Sequence, residues 1–234
     1  DGLDDNDGDG SGEAWGIPEW VAFEIKGNKP SHKLATRPRW FTDHDLSNRR
    51  IAPSDSTYAV SGTTKLKAVK TDYRYVRGHM CPKATAERIS EDASYNTHCI
   101  MNAVPQLQWQ NNGIWKKLES QCTDWADSYG RVWVVCGPVF FNKTPAVWLG
   151  QKDEVRAAVP DALFKIVFRE VGDSVESAAF LIPNVLPKTE VDFWDYTESV
   201  ERIEALTGID FLTALTPAQH AVVKSSTADP AEWE

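Results

Sequence analysis

The residue types that can carry out acid–base and metal chemistry are concentrated between residues 77 and 119. In the triplet Arg77-Gly78-His79, a neutral imidazole is able to take a proton from water near pH 7. Gly78 has no Cβ, so a ligand can approach the backbone closely at this position. Asn111 and Glu119 supply oxygen donors of the kind that Mg²⁺ prefers. Together these residues suit a metal-assisted site, although taken singly a surface histidine, a helix N-cap and an exposed helix residue are the more common explanations.

Asn111 and Glu119 are too far apart along a regular helix to bind one ion in the same way. Eight positions separate them, which corresponds to about 12 Å along a helix axis. Asn111 can precede or cap the helix and bind an ion directly, whereas Glu119 can reach the same ion through a bound water. Mg²⁺ retains several waters in protein sites, so this division of roles suits it.

Hydrophobic periodicity predicts two helices. Residues 113–129 place apolar side chains at steps of three and four and are followed by a helix-ending glycine, Gly130. The apolar positions of this helix are Ile114, Leu118, Cys122, Trp125 and Tyr129. The apolar positions of a late helix, interrupted by Gly208, are Val200, Ile203, Leu206 and Phe211. The sequence after Pro217 has little pattern.

Strands are predicted where short apolar runs end at glycine or proline. They cover residues 20–25, 97–104, 132–136, 163–168 and 178–182, and the second and third of them stop at Pro105 and Gly137-Pro138. Strands follow one another with few helices between them, without a regular strand–helix alternation. This order predicts an α+β fold with a mainly antiparallel central β-sheet flanked by helices.

Length and composition predict one folded domain with two tails. The chain has 234 residues, of which 41% are hydrophobic, and its ten tryptophans support one large core. We expect residues 1–14 to form a disordered acidic tail, residues 15–215 the domain, and residues 216–234 a C-terminal tail. Residues 5–10 begin like a calcium loop, but Gly16 stands where that loop requires Glu. No apolar run is long enough to cross a membrane and no signal peptide is visible, so we expect no membrane association.

Charge is distributed unevenly along the chain. The formal net charge of −9 disfavours a nucleic-acid partner for the chain taken as a whole. However, residues 1–13 hold six acids and no base, and residues 65–88 hold seven bases against two acids. The seven bases are Lys65, Lys67, Lys70, Arg74, Arg77, Lys83 and Arg88. Such a stretch either binds phosphate or is an ordinary solvated surface.

Four cysteines leave the redox state open. An even number allows complete disulfide pairing and is typical of a secreted or periplasmic protein, whereas buried free thiols fit the same sequence. The chain has no CxxC pair, yet two of the cysteines follow histidines closely and could bind a structural zinc. The four residues are Cys81, Cys99, Cys122 and Cys136, and the neighbouring histidines are His79 and His98.

Three motifs follow one another in the region that carries the chemistry. Residues 76–79 read V-R-G-H, residues 101–106 read M-N-A-V-P-Q, and residues 111–119 read N-N-G-I-W-K-K-L-E. They resemble the patterns D-R-G-H, S-N-x-x-P-Q and N-x-G-x-W-x-x-L-E of the DNA/RNA non-specific endonuclease family, the ββα-metal or His-Me finger nucleases. The likeness covers residues 20 to about 215.

This resemblance implies an acid–base and a phosphate role for several residues. His79 would be the general base that activates water for attack on a phosphodiester, and Arg77 would contact phosphate. The family's arginine that stabilises the transition state corresponds to Arg37 or Arg39, and the local spacing does not distinguish between them.

The resemblance also implies a metal and a substrate. Asn111 would bind Mg²⁺ directly, Glu119 would hold the water shell of the ion, and Asn102 would help to position the site. Mn²⁺ or another divalent cation would serve in place of Mg²⁺. DNA and RNA are the implied substrates, cut without sequence preference, because contacts to the phosphate backbone carry no sequence information.

Two alternative functions fit parts of the sequence. Val76 stands where the family has an acid, which favours a catalytically impaired nucleic-acid-binding module on the same scaffold. The cysteines and histidines instead suggest an interaction domain stabilised by zinc.

Overall fold

The computed structural model describes residues 14–58, 75–151, 153–186 and 190–233. Residues 1–13 of the acidic tail predicted over residues 1–14, and the bases at Lys65, Lys67, Lys70 and Arg74, lie outside the described residues. The strands are β1 (Val21–Lys26), β2 (Tyr75–His79), β3 (Ala103–Leu107), β4 (Arg131–Val139), β5 (Trp148–Leu149), β6 (Ala157–Ala158), β7 (Ala162–Val171), β8 (Ser174–Pro183) and β9 (Thr197–Glu198).

Most helices are short, and α5 is the longest of those in the described ranges. They are α1 (His44–Asn48), α2 (Lys83–Ala86), α3 (Glu91–Asn96), α4 (Gln108–Gln110), α5 (Lys116–Tyr129), α6 (Val200–Thr207), α7 (Pro217–Ser225) and α8 (Pro230–Trp233). A π-helical turn, Asn111–Trp115, joins α4 to α5, and 3₁₀ turns occur at Ile100–Asn102 and Phe193–Tyr196. In the part of the chain that the structure describes, no helix combines the length and the hydrophobicity needed to cross a bilayer.

A five-stranded antiparallel sheet in the order β1-β4-β7-β8-β9 forms the centre of the molecule. Successive side chains of a strand point to opposite faces, so β7 buries Leu163 and Val167 on one face and Phe164 and Ile166 on the other. α5 and the β2–β3 pair cover the first face, and α6 and α7 cover the second. The structure confirms the predicted α+β fold with its antiparallel central sheet.

β2 and β3 form a separate antiparallel ribbon that leads directly into α4, the π-helical turn and α5. His79 ends β2 and pairs with Ala103, the first residue of β3. β3 ends at Leu107, and α4 begins at the next residue. Two strands followed by a helix are the predicted ββα unit, and they place His79 and the residues of the helix on consecutive elements.

A buried asparagine, Asn184, fixes this ribbon to the central sheet. Its Oδ1 accepts a hydrogen bond from the Leu107 N–H at 2.9 Å. Its Nδ2 donates to the carbonyl oxygens of Pro105 and Pro160 at 3.0 and 2.9 Å. Asn184 has no exposed surface, so water cannot replace these bonds, and the ribbon depends on them for its position.

Two prolines that were predicted to end strands lie inside strands instead. Pro105 pairs with Arg77 in the two-stranded ribbon, and Pro138 pairs with Leu163 near the end of β4. Proline lacks an N–H and is tolerated where one side of a strand is unpaired. Both positions satisfy this condition, because each strand of the ribbon is an edge and the pairing of β1 with β4 stops at Cys136.

The strand predicted over residues 97–104 is wrong in its bounds. Residues Ile100–Asn102 form a 3₁₀ turn, and the strand begins only at Ala103. The Asn102 side chain donates hydrogen bonds to the backbone carbonyls of Cys81 and Thr97. Side-chain-to-backbone bonds of this kind compete with strand pairing.

Both predicted helices exist. The first ends at Gly130 as predicted, and the late helix ends earlier than predicted. α5 stops before Gly130, which has φ +86° and therefore a backbone conformation that favours glycine. The late helix ends at Gly208, with φ +72°. Phe211 therefore lies beyond α6 rather than on it, although it still packs into the core.

Residues 216–233, assigned from sequence to a tail, contain α7 and α8 and pack onto the domain. Thr216 and Gln219 form a capping box at the start of α7. Trp233, only 2% exposed, packs against Trp125, whose indole N–H donates to the Trp233 carbonyl. Val223 of α7 is buried while Val222 is exposed, and α8 has four residues, so neither helix has an apolar stripe that periodicity could reveal.

Candidate active site

His79 is held between two other rings at the end of β2. Its imidazole is partly buried, with the Trp40 indole at a centroid distance of 4.5 Å and the His98 imidazole at 5.1 Å. Trp40 also contacts His98, at 5.2 Å. This cluster of three rings comes from three separate segments of the chain, and it fixes the plane of the imidazole.

The surroundings of His79 keep its imidazole neutral. Burial, together with the smaller effects of the charges of His98, Arg37 and Lys83, lowers the pKa of His79 from 6.5 to about 3. A neutral imidazole retains a lone pair, so it can accept a proton from water at neutral pH. Arg37 also lowers the pKa of His98, whereas Arg39 does not contribute to either histidine.

Only glycine fits at position 78, because the Gln106 side chain occupies the space of a Cβ. A Cβ at this position would lie 1.8 Å from Oε1 of Gln106 and 2.7 Å from its Cβ. Gln106 is fully buried and donates to Gln110 at the start of the helical segment. The glycine of the triplet therefore allows β2 to approach β3 closely, one residue before His79.

Arg77 is bound to acidic and aromatic neighbours. Its guanidinium forms an ion pair with Asp55 at 2.5 Å, donates to the Asp55 carbonyl at 2.8 Å and lies 5.4 Å from the Tyr58 ring centre. Its buried Nε has no hydrogen-bond partner within the described residues. A phosphate would thus compete with Asp55 for this guanidinium.

Asn102 holds the backbone that follows His79. Its Oδ1 accepts the Cys81 N–H, and its Nδ2 donates to the carbonyls of Cys81 and Thr97, each at 2.9 Å. The Met80 N–H donates to the Asn102 carbonyl at 2.9 Å. Asn102 is therefore placed to position the site through the backbone rather than to contact a ligand.

Asn111 begins the π-helical turn that precedes α5. Its Nδ2 donates weakly to Asn112 Oδ1, at 3.4 Å, and in the described residues nothing is found that donates to Asn111 Oδ1. Gly113 has non-helical angles (φ −100°, ψ −107°), so the chain is kinked between Asn111 and Glu119. The regular spacing of about 12 Å assumed from the sequence does not apply across such a kink, and π-helical turns are frequent at functional sites. A free amide oxygen here fits a hard cation such as Mg²⁺.

Glu119 lies in the first turn of α5, close to a buried lysine. Burial raises the pKa of Glu119 from 4.5 to about 7, against the opposing charges of Lys165 and Lys116. Lys165, from β7, is 1% exposed and lies 4.2 Å from the centre of the Trp115 ring. A bound cation would oppose the effect of burial and favour the carboxylate, which is the chemistry expected of a metal-site acid.

Cys81 lies between the segment that carries His79 and the region of Glu119. It follows His79 by two residues, and the charge of Glu119 contributes to the raised pKa of its thiol. The carboxylate of α5 therefore lies within electrostatic range of the segment that carries the imidazole.

The four cysteines are free thiols. In the ranges that the structure describes, no three His, Cys, Asp or Glu side chains are grouped to bind a metal. The zinc alternative thus lacks a ligand set there. A magnesium site built on one amide oxygen and water does not need such a group.

Comparison with known proteins decides the family. The profile of the DNA/RNA non-specific endonuclease family matches residues 12–218. The chain belongs to this family. It is 30% identical over 200 residues to "Nuclease EXOG, mitochondrial" of Danio rerio, covering 78% of this chain and 57% of that protein. It is 32% identical over 214 residues to a nuclease of Serratia marcescens, covering 88% and 72%.

Structural comparison agrees with the assignment to this endonuclease family. A structure of the EndoG/EndoGI complex superposes with a TM-score of 0.69, covering 88% of this chain and 82% of that one, at 19% sequence identity. This likeness shows a shared fold. The chain spans about half the length of the EXOG relatives that it matches.

Sequence reasoning missed three residues of the site in this member of the family. His98 was considered only as a zinc ligand, and Trp40 was not among the candidate residues. Lys165 carried a usable signal, because a lysine within the apolar run of β7 indicates a buried charge with a specific environment. No local pattern identifies the other two, since they reach His79 only through tertiary packing.

Proposed function

We propose that this chain is a divalent-metal-dependent endonuclease that hydrolyses phosphodiester bonds in DNA and RNA without sequence preference. The supporting observation is the geometry at His79, a neutral imidazole held by two rings beside the charge of Arg37. The family membership provides the reaction class. An activated water, neutralised phosphate charge and a stabilised leaving group are the requirements of this reaction.

His79 is the proposed general base. Its Nε2 is buried, which leaves Nδ1 as the nitrogen that takes a proton from the attacking water. Arg37, whose charge already acts on His79, is the proposed ligand for the phosphoryl oxygens as negative charge develops. Arg39 has no comparable effect on the imidazole and is the weaker candidate. Arg77 would bind a neighbouring phosphate after exchange with Asp55.

Asn111 and Glu119 are the proposed holders of the metal. Asn111 Oδ1 would bind the ion directly, and the Glu119 carboxylate would hold its waters. A bound Mg²⁺ would neutralise phosphate charge and stabilise the leaving oxygen. Mn²⁺ accepts the same oxygen donors, so we expect it to substitute.

Backbone recognition explains the proposed breadth of substrates. Arginine contacts to phosphate do not distinguish bases, so both DNA and RNA are expected to bind. The chain carries a net charge of −9, so attraction depends on a local basic region and should weaken steeply with salt. We also propose a secreted or periplasmic location, which cell fractionation would test; the even number of cysteines no longer supports it, because all four are free thiols.

Cleavage of supercoiled plasmid and of structured RNA tests this function. The purified chain is expected to nick both with Mg²⁺ and neither with EDTA. His79→Ala should reduce turnover by about 100-fold or more, the usual contribution of a general base. His32→Ala replaces an exposed histidine and serves as the matched control. Cleavage by His79→Ala at the wild-type rate would refute the general-base role.

A second pair of variants tests the metal site. Asn111→Ala should raise the Mg²⁺ concentration needed for half-maximal cleavage, whereas Asn112→Ala, at the exposed neighbouring position, should leave it nearly unchanged. Equal Mg²⁺ dependence of the two variants would contradict direct ligation by Asn111. Tight DNA binding by the wild-type chain without cleavage would support the alternative of an impaired binding module.

A further inference from the structure

Two imidazoles in contact each have a buried nitrogen without a hydrogen-bond partner. The rings of His79 and His98 are arranged edge to face, with centroids 5.1 Å apart and an interplanar angle of 82°. Among the described residues, neither Nε2 atom has a partner. A buried polar atom left unpaired costs about 1–3 kcal/mol, so two such atoms in neighbouring rings require an explanation.

The hydrogen-bond network assigns the tautomer of His98. The Thr97 hydroxyl donates its one hydrogen to the Ser94 carbonyl at 2.7 Å. In its 3.3 Å contact with His98 Nδ1, the Thr97 oxygen can therefore only accept, so Nδ1 carries the hydrogen. Burial lowers the pKa of His98, which favours the neutral ring. His98 Nε2 is thus a bare lone pair, an acceptor without a donor.

His79 presents the complementary group. A neutral imidazole has one N–H and one lone pair. If Nδ1 is to accept a proton from water, Nε2 must carry the hydrogen, which makes it a buried donor without an acceptor. His98 Nε2 lacks a donor and His79 Nε2 lacks an acceptor, and the two rings are in contact.

We propose that His98 is a positioning residue for His79: a small turn of the two contacting rings brings its Nε2 into position to accept a hydrogen bond from His79 Nε2–H. This inference rests on the proposed role of His79 as the base. The bond fixes the tautomer of His79, so that the lone pair is always at Nδ1. A base oriented by a third group is the general arrangement of activated catalytic sites.

Trp40 restricts the orientation of both imidazoles. It contacts both imidazoles, at 4.5 and 5.2 Å, and so limits the directions in which the rings can turn. His98 has no exposed surface, which keeps bulk water from competing for its lone pair.

Nitrogen NMR of ¹⁵N-histidine-labelled wild-type protein tests the tautomer without any activity measurement. Spectra at a pH where both rings are neutral, with His79→Gln and His98→Phe used for assignment, should show the hydrogen of His79 on Nε2 and that of His98 on Nδ1. A wild-type spectrum with the His79 hydrogen on Nδ1 overturns the proposal.

Kinetics of two variants test the consequence. His98→Phe keeps a ring against Trp40 but removes the acceptor, and we expect kcat to fall about 10- to 100-fold with KM unchanged. His98→Gln, which restores an acceptor oxygen, should recover part of kcat. A folded His98→Phe protein with wild-type kcat and the same His79 tautomer would contradict the inference. If the chain proved not to be a nuclease, the NMR result would still decide whether the two histidines are paired.

Discussion

Replacing Glu119 by glutamine isolates the electrostatics of the site while retaining its shape. Burial raises the pKa of Glu119 from 4.5 to about 7. Without metal, the folded protein therefore binds more protons than the unfolded chain between these two pH values. The stability linked to this proton is present below pH 4.5 and is lost as the pH rises through about 7.

The magnitude follows from the size of this pKa change. Each pKa unit corresponds to about 1.4 kcal/mol, so the rise from 4.5 to about 7 amounts to about 3 kcal/mol. Glutamine has no proton to lose and lacks this pH dependence. Lys165 is coupled to Glu119, and burial opposes its charge once that partner is removed, so the difference between the two proteins reports on the pair.

Urea denaturation with EDTA measures the effect. The free energies of unfolding of the wild type and of Glu119→Gln should move apart by about 3 kcal/mol between about pH 4.5 and about pH 8, in favour of the variant at high pH. Added Mg²⁺ should stabilise the wild type more than the variant, because an ion that binds the folded state stabilises it. Parallel pH profiles of the two proteins would refute the reasoning.

Four further substitutions have defined outcomes. Gly78→Ala should destabilise the fold by about 1–3 kcal/mol through overpacking against the buried Gln106, and thermal unfolding that matches the wild type would contradict this. Asn184→Ala leaves one N–H and two carbonyls of the buried ribbon contacts unpaired, so urea denaturation should show a loss of about 3 kcal/mol or more. Arg37→Ala should lower kcat about 100-fold and Arg39→Ala much less; equal losses in cleavage assays would remove the distinction between the two arginines.

Local patterns in the sequence predicted much of the scaffold. The spacing of Ile114, Leu118, Cys122 and Trp125 defines a helix face, and all four side chains are buried in the core. Short apolar runs located the main strands, because a strand buried on both faces is hydrophobic throughout. Their ends were less certain, as Pro138 shows, since the tolerance of proline depends on which neighbouring strand is paired.

The helical segment from Asn111 to Glu119 shows what periodicity could not provide. A regular helix separates these residues by two turns, and only the fold reveals a π-helical turn with non-helical angles at Gly113. Such a kink depends on how the segment packs between the ribbon and the central sheet, which no local spacing records.

The sequence by itself determined the order and chemistry of the site residues, from the triplet ending in His79 to the segment ending in Glu119, because residue type and spacing are local properties. Tertiary structure alone decided what surrounds them. Trp40 and His98 reach His79 from separate segments, and Lys165 reaches the helix from a central strand. The charge states of His79 and Glu119 follow from burial and from these neighbours, which exist only once the chain is folded.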